Sequence, residues 1–198
     1  MTQTQKDRDA LREWAVFYES GLRRQNSDVN LTQAQIAKDR TRLEADPIEW
    51  IRFFFPEYCK FEFAEFQIKA IRRCIKHEEW FEVLSWARGL AKSTTVMFIV
   101  IYLALTKKKC NVMMASATQD SAVRLLDPYK KQLEENALIR AYYGVQVNLG
   151  NWCAEEFVAK CGCSFRAVGA GNAPRGSRNG AVRPDVLLVD DFDTDEGC

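Results

Sequence analysis

Lys92 and Ser93 stand side by side where a short apolar run, LSW at 84–86, passes through ARGLA into a long apolar stretch that opens TTVMF. A lysine followed by a hydroxyl residue at the start of a buried helix is what triphosphate binding needs. In such a junction the backbone N–H groups of the loop and of the helix start, here Arg88, Gly89, Leu90, Ala91, Lys92, Ser93 and Thr94, hold phosphate oxygens. The Lys92 ammonium then reaches the outer phosphates and the Ser93 hydroxyl joins the shell of a Mg2+ ion. The general pattern is G-x-x-x-x-G-K-[ST], and Trp86 and Ala91 occupy its two glycine positions. Taken alone, the junction reads as well as an ordinary helix start with a solvated lysine.

Three other features bear on that choice. PDVLLVDDFDTDE (184–196) is an apolar strand whose end carries two adjacent carboxylates, Asp190 and Asp191, suited to hold or orient Mg2+. FAEFQ (63–67) sets Phe63 and Phe66 beside Gln67, whose amide can read an adenine edge while a ring stacks on it. GAGNAPRGSRNGAVRP (169–184) is a glycine-rich loop whose Arg175, Arg178 and Arg183 can meet phosphate charge. Each has a plain structural alternative: core aromatics, a solvated acidic turn, arginines paired with a neighbour's carboxylates. Their occurrence together, in the order expected of an ATPase, favours the nucleotide reading.

The elements that must position these groups follow from periodicity. Residues 9–24 space Leu11, Trp14, Tyr18 and Leu22 as on a helix, and a second polar helix over LTQAQIAKDRTRLEAD is capped by Asn30 or Thr32, so residues 1–45 read as a helical arm. From Asp46-Pro47 the texture changes: Asp46 caps PIEWIRFFF, Trp50, Phe53 and Phe54 form an aromatic face, and Pro56 stops the helix. FAEFQIKAIRRCIKH reads as a helix, Phe81–Trp86 as a strand, the run from Ser93 as a buried helix with lysines at its end, and Cys110–Thr118 as a strand. Residues 120–136 read as an amphipathic helix broken near Pro128, residues 155–169 as a hairpin, and Val186–Val189 as the last strand. This alternation is that of an α/β parallel sheet covered by helices on both faces, with residues 46–198 as its domain.

Composition narrows the classes. Lys plus Arg total 28 against 27 Asp plus Glu, a net charge of +1, so nucleic-acid contact must come from a local patch rather than bulk charge. With 47% hydrophobic and 12% aromatic residues in 198, the chain is not disordered. The seven cysteines form no CxxC pair and there is one histidine, His77, so no zinc site is expected. Cys161 and Cys163 are expected as ordinary thiols on one face of a strand in a reducing compartment. The longest apolar stretch, Val96–Leu105, is about half of what a bilayer span needs, and the N-terminus has no apolar signal core.

The ordered set DPIEWIRFFFPEY…FAEFQ, ARGLAKST, ASATQDSA, PRGSRNGAVRPD and VLLVDD resembles the ATPase domain of the large terminase subunit of tailed bacteriophages over residues 46–198. The resemblance implies an α/β P-loop NTPase of the ASCE type with a parallel-sheet core flanked by helices. It implies ATP hydrolysis that drives double-stranded DNA into a capsid, with ATP and Mg2+ as cofactors. FAEFQ is similar to the family's adenine-side Q motif, ARGLAKST to its variant Walker A, and VLLVDD to its Walker B. By the same resemblance Arg88 senses the γ-phosphate, Ser93 and Asp190 hold Mg2+, and Asp191 or Glu196, with Glu196 slightly preferred, orients water. Arg175 or Arg178 acts as an arginine finger on a neighbour's nucleotide. The implied partners are DNA, a portal protein, a small terminase subunit and further copies in a homo-oligomeric ring, in the cytoplasm of an infected bacterial host and without a membrane. The match ends directly after the acidic strand, so the core is expected to be incomplete at its C-terminal side. The family's coupling motif and RNase-H-like nuclease domain are expected to lie outside this chain. The alternatives are a helicase-like P-loop DNA translocase and a nucleotide- or DNA-binding module without turnover.

Overall fold

The computed structural model describes residues 32–148, 150–171 and 183–192. The helix expected over 9–24, the cap Asn30, and Arg175, Arg178 and Glu196 lie outside them. Among the described residues the architecture is α/β, with six helices and a four-stranded mixed sheet.

Thr32 begins helix α1 (Gln33–Ala45) with a capping box, its hydroxyl accepting from Gln35 N while the Gln35 side chain accepts from Thr32 N at 2.9 Å. Asp46 then caps α2 (Pro47–Phe54), accepting from Ile48 N at 2.9 Å, with Pro47 where its missing N–H has no intrahelical role. Helix α3 (Glu65–Lys76) leads to residues 77–91, and α4 (Lys92–Leu105) follows with ten buried residues from Thr95 to Leu105, as its unbroken apolar sequence dictates. Strand β1 (Asn111–Ser116), α5 (Gln119–Glu135), α6 (Ala137–Tyr143), β2 (Glu156–Val158), β3 (Ser164–Gly169) and β4 (Val186–Val189) complete the order.

The sheet order is β2-β3-β1-β4, with β1 parallel to both β3 and β4 and only the edge strand β2 antiparallel. The register of β4 against β1 is clamped at its start by Asp185, whose carboxylate accepts from Cys110 N and Asn111 N, each at 2.8 Å. At the other end, Gly169 closes β3 against the first turn of α5. An added Cβ would lie 2.8 Å from Thr118 C and 2.9 Å from Gln119 Cα, with Gln119 N closer still, so only a residue without a side chain fits. Gly169→Ala is therefore expected to cost about 1–3 kcal/mol through overpacking, read as a lowered urea midpoint with unchanged slope.

The core draws on all six helices and on strands β1–β3, and its aromatic part forms where α1, α2, α4 and α6 meet. Trp50 is fully buried, its ring 4.7 Å from Phe54 and 5.1 Å from Tyr102, and its indole N–H donates to Tyr143 Oη at 2.8 Å. Tyr143 in turn donates to Glu44 Oε1 at 2.9 Å, and Tyr102 to the Glu44 carbonyl at 2.7 Å, so the last turn of α1 is bonded to the aromatic core.

Three expectations are corrected. Phe81–Trp86 alternates in burial, with Phe81, Val83 and Ser85 exposed and Glu82, Leu84 and Trp86 half-buried, but among the described residues it joins no ladder. Its Glu82 and Leu84 line a groove of about 500 Å³ together with Leu187 and Leu188 of β4. Coverage of the sheet is correspondingly incomplete, with Leu187 and Val189 exposed. Secondly, α5 runs unbroken through Pro128, because buried Leu126, Tyr129 and Leu133 hold its core face on both sides of the missing N–H. Thirdly, Cys161 and Cys163 do not share a strand face; they sit in the turn between β2 and β3, where burial pushes both thiols up in pKa.

Candidate functional site

The loop 88–91 turns the chain into α4 through two left-handed residues, Gly89 at φ 88° and Ala91 at φ 55°. Ala91 thus keeps the backbone conformation that a glycine adopts freely, at a cost of about 1 kcal/mol. It is also the residue before the first turn of α4, and it offers no side-chain cap. The first N–H groups of α4 therefore face outward from a helix start that carries partial positive charge, which is the polarity an anion needs.

Lys92 points from this helix start to the end of β4, where Nζ lies 3.6 Å from Asp190 Oδ1. Lys92, Ser93 and Asp190 line one cavity of about 160 Å³, with Leu84, Leu125 and Tyr129 among its walls. It lies at the C-terminal end of parallel strand β4, where open α/β sheets place their ligands. The volume suits phosphate groups and not a whole nucleotide, so a base would have to lie outside it. Ser93 and Asp190 both line the cavity with hard oxygen donors, and Mg2+ takes few protein ligands while keeping waters and phosphate oxygens, so the residue types present fit that ion. Among the described residues no group of three or more His, Cys, Asp or Glu is placed to hold a metal by itself.

The two carboxylates separate. Asp190 N donates to Ala115 O at 3.1 Å, continuing the ladder, whereas Asp191 turns to φ 45° with its carbonyl accepting from Ala117 N at 3.0 Å. Asp191 lines a second cavity, of about 290 Å³, with Ser116, Ser121 and Arg124, and only Asp190 and Leu125 border both.

On the base side, Gln67 is engaged in the fold. Its Oε1 accepts from Ala64 N at 2.9 Å and its Nε2 donates to the Leu90 carbonyl at 3.2 Å, tying the start of α3 to the loop. Phe63 packs against the core under the Arg52 guanidinium, 6.0 Å away. Phe66 stays partly exposed, edge-on to Trp86 at 4.8 Å, while Arg88 and Leu90 are exposed on the loop and Thr94 is half-buried. Arg183 is exposed just before β4.

Tyr129 and Arg124 were not singled out from the sequence. Both lie in DSAVRLLDPYKKQLEEN, where the apolar period assigns Tyr129 to the core and Arg124 to solvent. Among the described residues no helix is long and apolar enough to cross a membrane. No protein-family model, no curated protein and no solved structure matches the chain.

Proposed function

We propose that this chain is the ATPase part of a DNA-packaging terminase of tailed bacteriophages, binding Mg-ATP at the α4 start and coupling its hydrolysis to the movement of double-stranded DNA into a capsid. The observation that supports it best is the meeting of Lys92 with Asp190, with Ser93 lining the same cavity. Three residue types singled out for phosphate and metal chemistry come together from two distant stretches of chain.

The α4 N–H groups and Lys92 receive the phosphates, and Ser93 and Asp190 hold the metal. When bound, Mg2+ neutralises charge that develops on the transferred phosphoryl group. Arg88, exposed beside the site, adds charge at the outer phosphate. Water is oriented by Asp191, at the neighbouring cavity, or by Glu196. Arg175 or Arg178 serves a neighbouring subunit's site in a ring, with portal protein and small terminase subunit as further partners in the host cytoplasm. Gln67 contributes by fixing the loop through Leu90 as well as by facing a base. A binding module without turnover is the second reading, favoured by one observation: among the described residues Asp191 stands outside the Lys92 cavity.

Titration with a fluorescent ATP analogue, followed by steady-state ATP hydrolysis with and without DNA, tests both. Absence of nucleotide binding sinks the proposal; binding without hydrolysis selects the second reading. Asp190→Asn is expected to preserve metal-free nucleotide binding while reducing the gain in affinity on adding Mg2+ by about tenfold. Undiminished metal dependence would assign the acidic strand end to structure alone.

A further inference from the structure

Tyr129 lines the Lys92 cavity from α5, yet it is only 2% exposed. Its ring stands in the core, 6.5 Å from the ring of Phe165. Its hydroxyl has no hydrogen-bond partner among the described residues. Burial and the nearby Asp190 charge both push the phenol up in pKa, so it keeps its proton and remains a donor. A buried hydroxyl without a partner is costly, and natural proteins rarely retain one. A phenylalanine would fill the same core position without that cost.

We propose that Tyr129 is a positioning residue for Asp190: in the loaded site its hydroxyl donates to the Asp190 carboxylate and holds it toward the metal once Lys92 has turned to the phosphates. This rests on the nucleotide reading given above. In the nucleotide-free protein Lys92 is the carboxylate's cationic neighbour, at 3.6 Å. Recruitment of Lys92 to phosphate leaves Asp190 with a negative charge to be steadied, and Tyr129 is a buried donor lining the same cavity. A hydrogen bond from a neutral donor to a carboxylate is among the stronger kinds, so its loss is measurable in metal binding.

The test compares wild type with Tyr129→Phe by titrating Mg2+ into the full chain held with a fluorescent ATP analogue. The expected result is an apparent Mg2+ affinity lowered about tenfold, with metal-free binding of the analogue unchanged. The thermal midpoint of the nucleotide-free variant is expected to equal or exceed that of wild type, because the hydroxyl lost had no partner. Identical Mg2+ titrations for the two proteins overturn the proposal. So does a midpoint lowered by several degrees with no change in metal dependence, which gives the hydroxyl a purely structural role. Failure of wild type to bind the analogue overturns the nucleotide reading and this role together, whereas wild-type binding with an unaltered Phe variant overturns this role alone.

Discussion

Lys92→Ala is expected to weaken Mg-ATP binding by about 100-fold or more, measured by titration with a fluorescent ATP analogue. Two losses act in the same direction. The variant lacks the ammonium that neutralises the outer phosphates, and charge-assisted contacts of that kind are worth about 1.5–3 kcal/mol. It also strips Asp190 of the cation 3.6 Å away, leaving an unbalanced carboxylate on the wall that phosphate must approach. Lys92→Arg separates the two effects, since it keeps the charge beside Asp190 but exchanges a compact ammonium for a planar fork. Stability should change little, because the pair is substantially solvent-accessible and such pairs contribute at most about 1 kcal/mol. An Ala variant with wild-type affinity would remove the α4 start from the nucleotide site.

The largest effect on stability is expected at Trp50, where replacement by Ala should cost about 3–5 kcal/mol in urea unfolding. The indole is fully buried among Phe54, Phe55 and Tyr102, with centroids at 4.7, 5.9 and 5.1 Å, and these rings are fixed by three different neighbours. The cavity left behind can collapse only if α2 shifts toward α4, which the surrounding packing resists. The donor to Tyr143 Oη disappears with it, which loosens the hydroxyl that holds Glu44 at the end of α1. Against a total of about 5–15 kcal/mol for a domain, such a loss is a large fraction. Trp50→Phe, which keeps one ring, should recover part of it. A midpoint within a few tenths of molar urea of wild type would mean that the aromatic cluster is not the keystone its geometry describes.

The sequence made some of this legible because certain residue patterns have one outcome. Apolar runs such as VMFIVIYLAL leave no polar face, so a fully buried helix follows; Asp46-Pro47 can only cap and begin one; and DDF after VLLV marks a strand end facing solvent. Lys92, Ser93 and Asp190 could be selected by their order, a lysine and a hydroxyl at a strand-to-helix junction and carboxylates at a later strand end, although each type is ordinary at an element boundary. Phe81–Trp86 shows the opposite case. Its alternation is present in the structure, but a strand is defined by its partner, and no pattern within six residues states whether a neighbour lies within bonding distance. Tyr129 was illegible for a related reason. A buried tyrosine at helical spacing is core by every local rule, and what distinguishes it is the cavity it lines together with Asp190, a residue from another part of the chain. The split between Asp190 and Asp191 was equally hidden, since the left-handed turn at Asp191 leaves it on one cavity only, whereas Asp190 borders both.

The 3.6 Å contact between Lys92 and Asp190 also has a thermodynamic meaning. In the resting site each charge is the other's counter-ion, so an anion that recruits Lys92 must detach it from Asp190, and a cation that recruits Asp190 must detach it from Lys92. Whichever arrives first carries the cost of separating them and leaves the second with a group already released. Linkage makes the advantage reciprocal: the factor by which phosphate raises metal affinity equals the factor by which metal raises phosphate affinity. On the proposed nucleotide reading, a site built this way favours phosphate and Mg2+ presented as one complex over either alone.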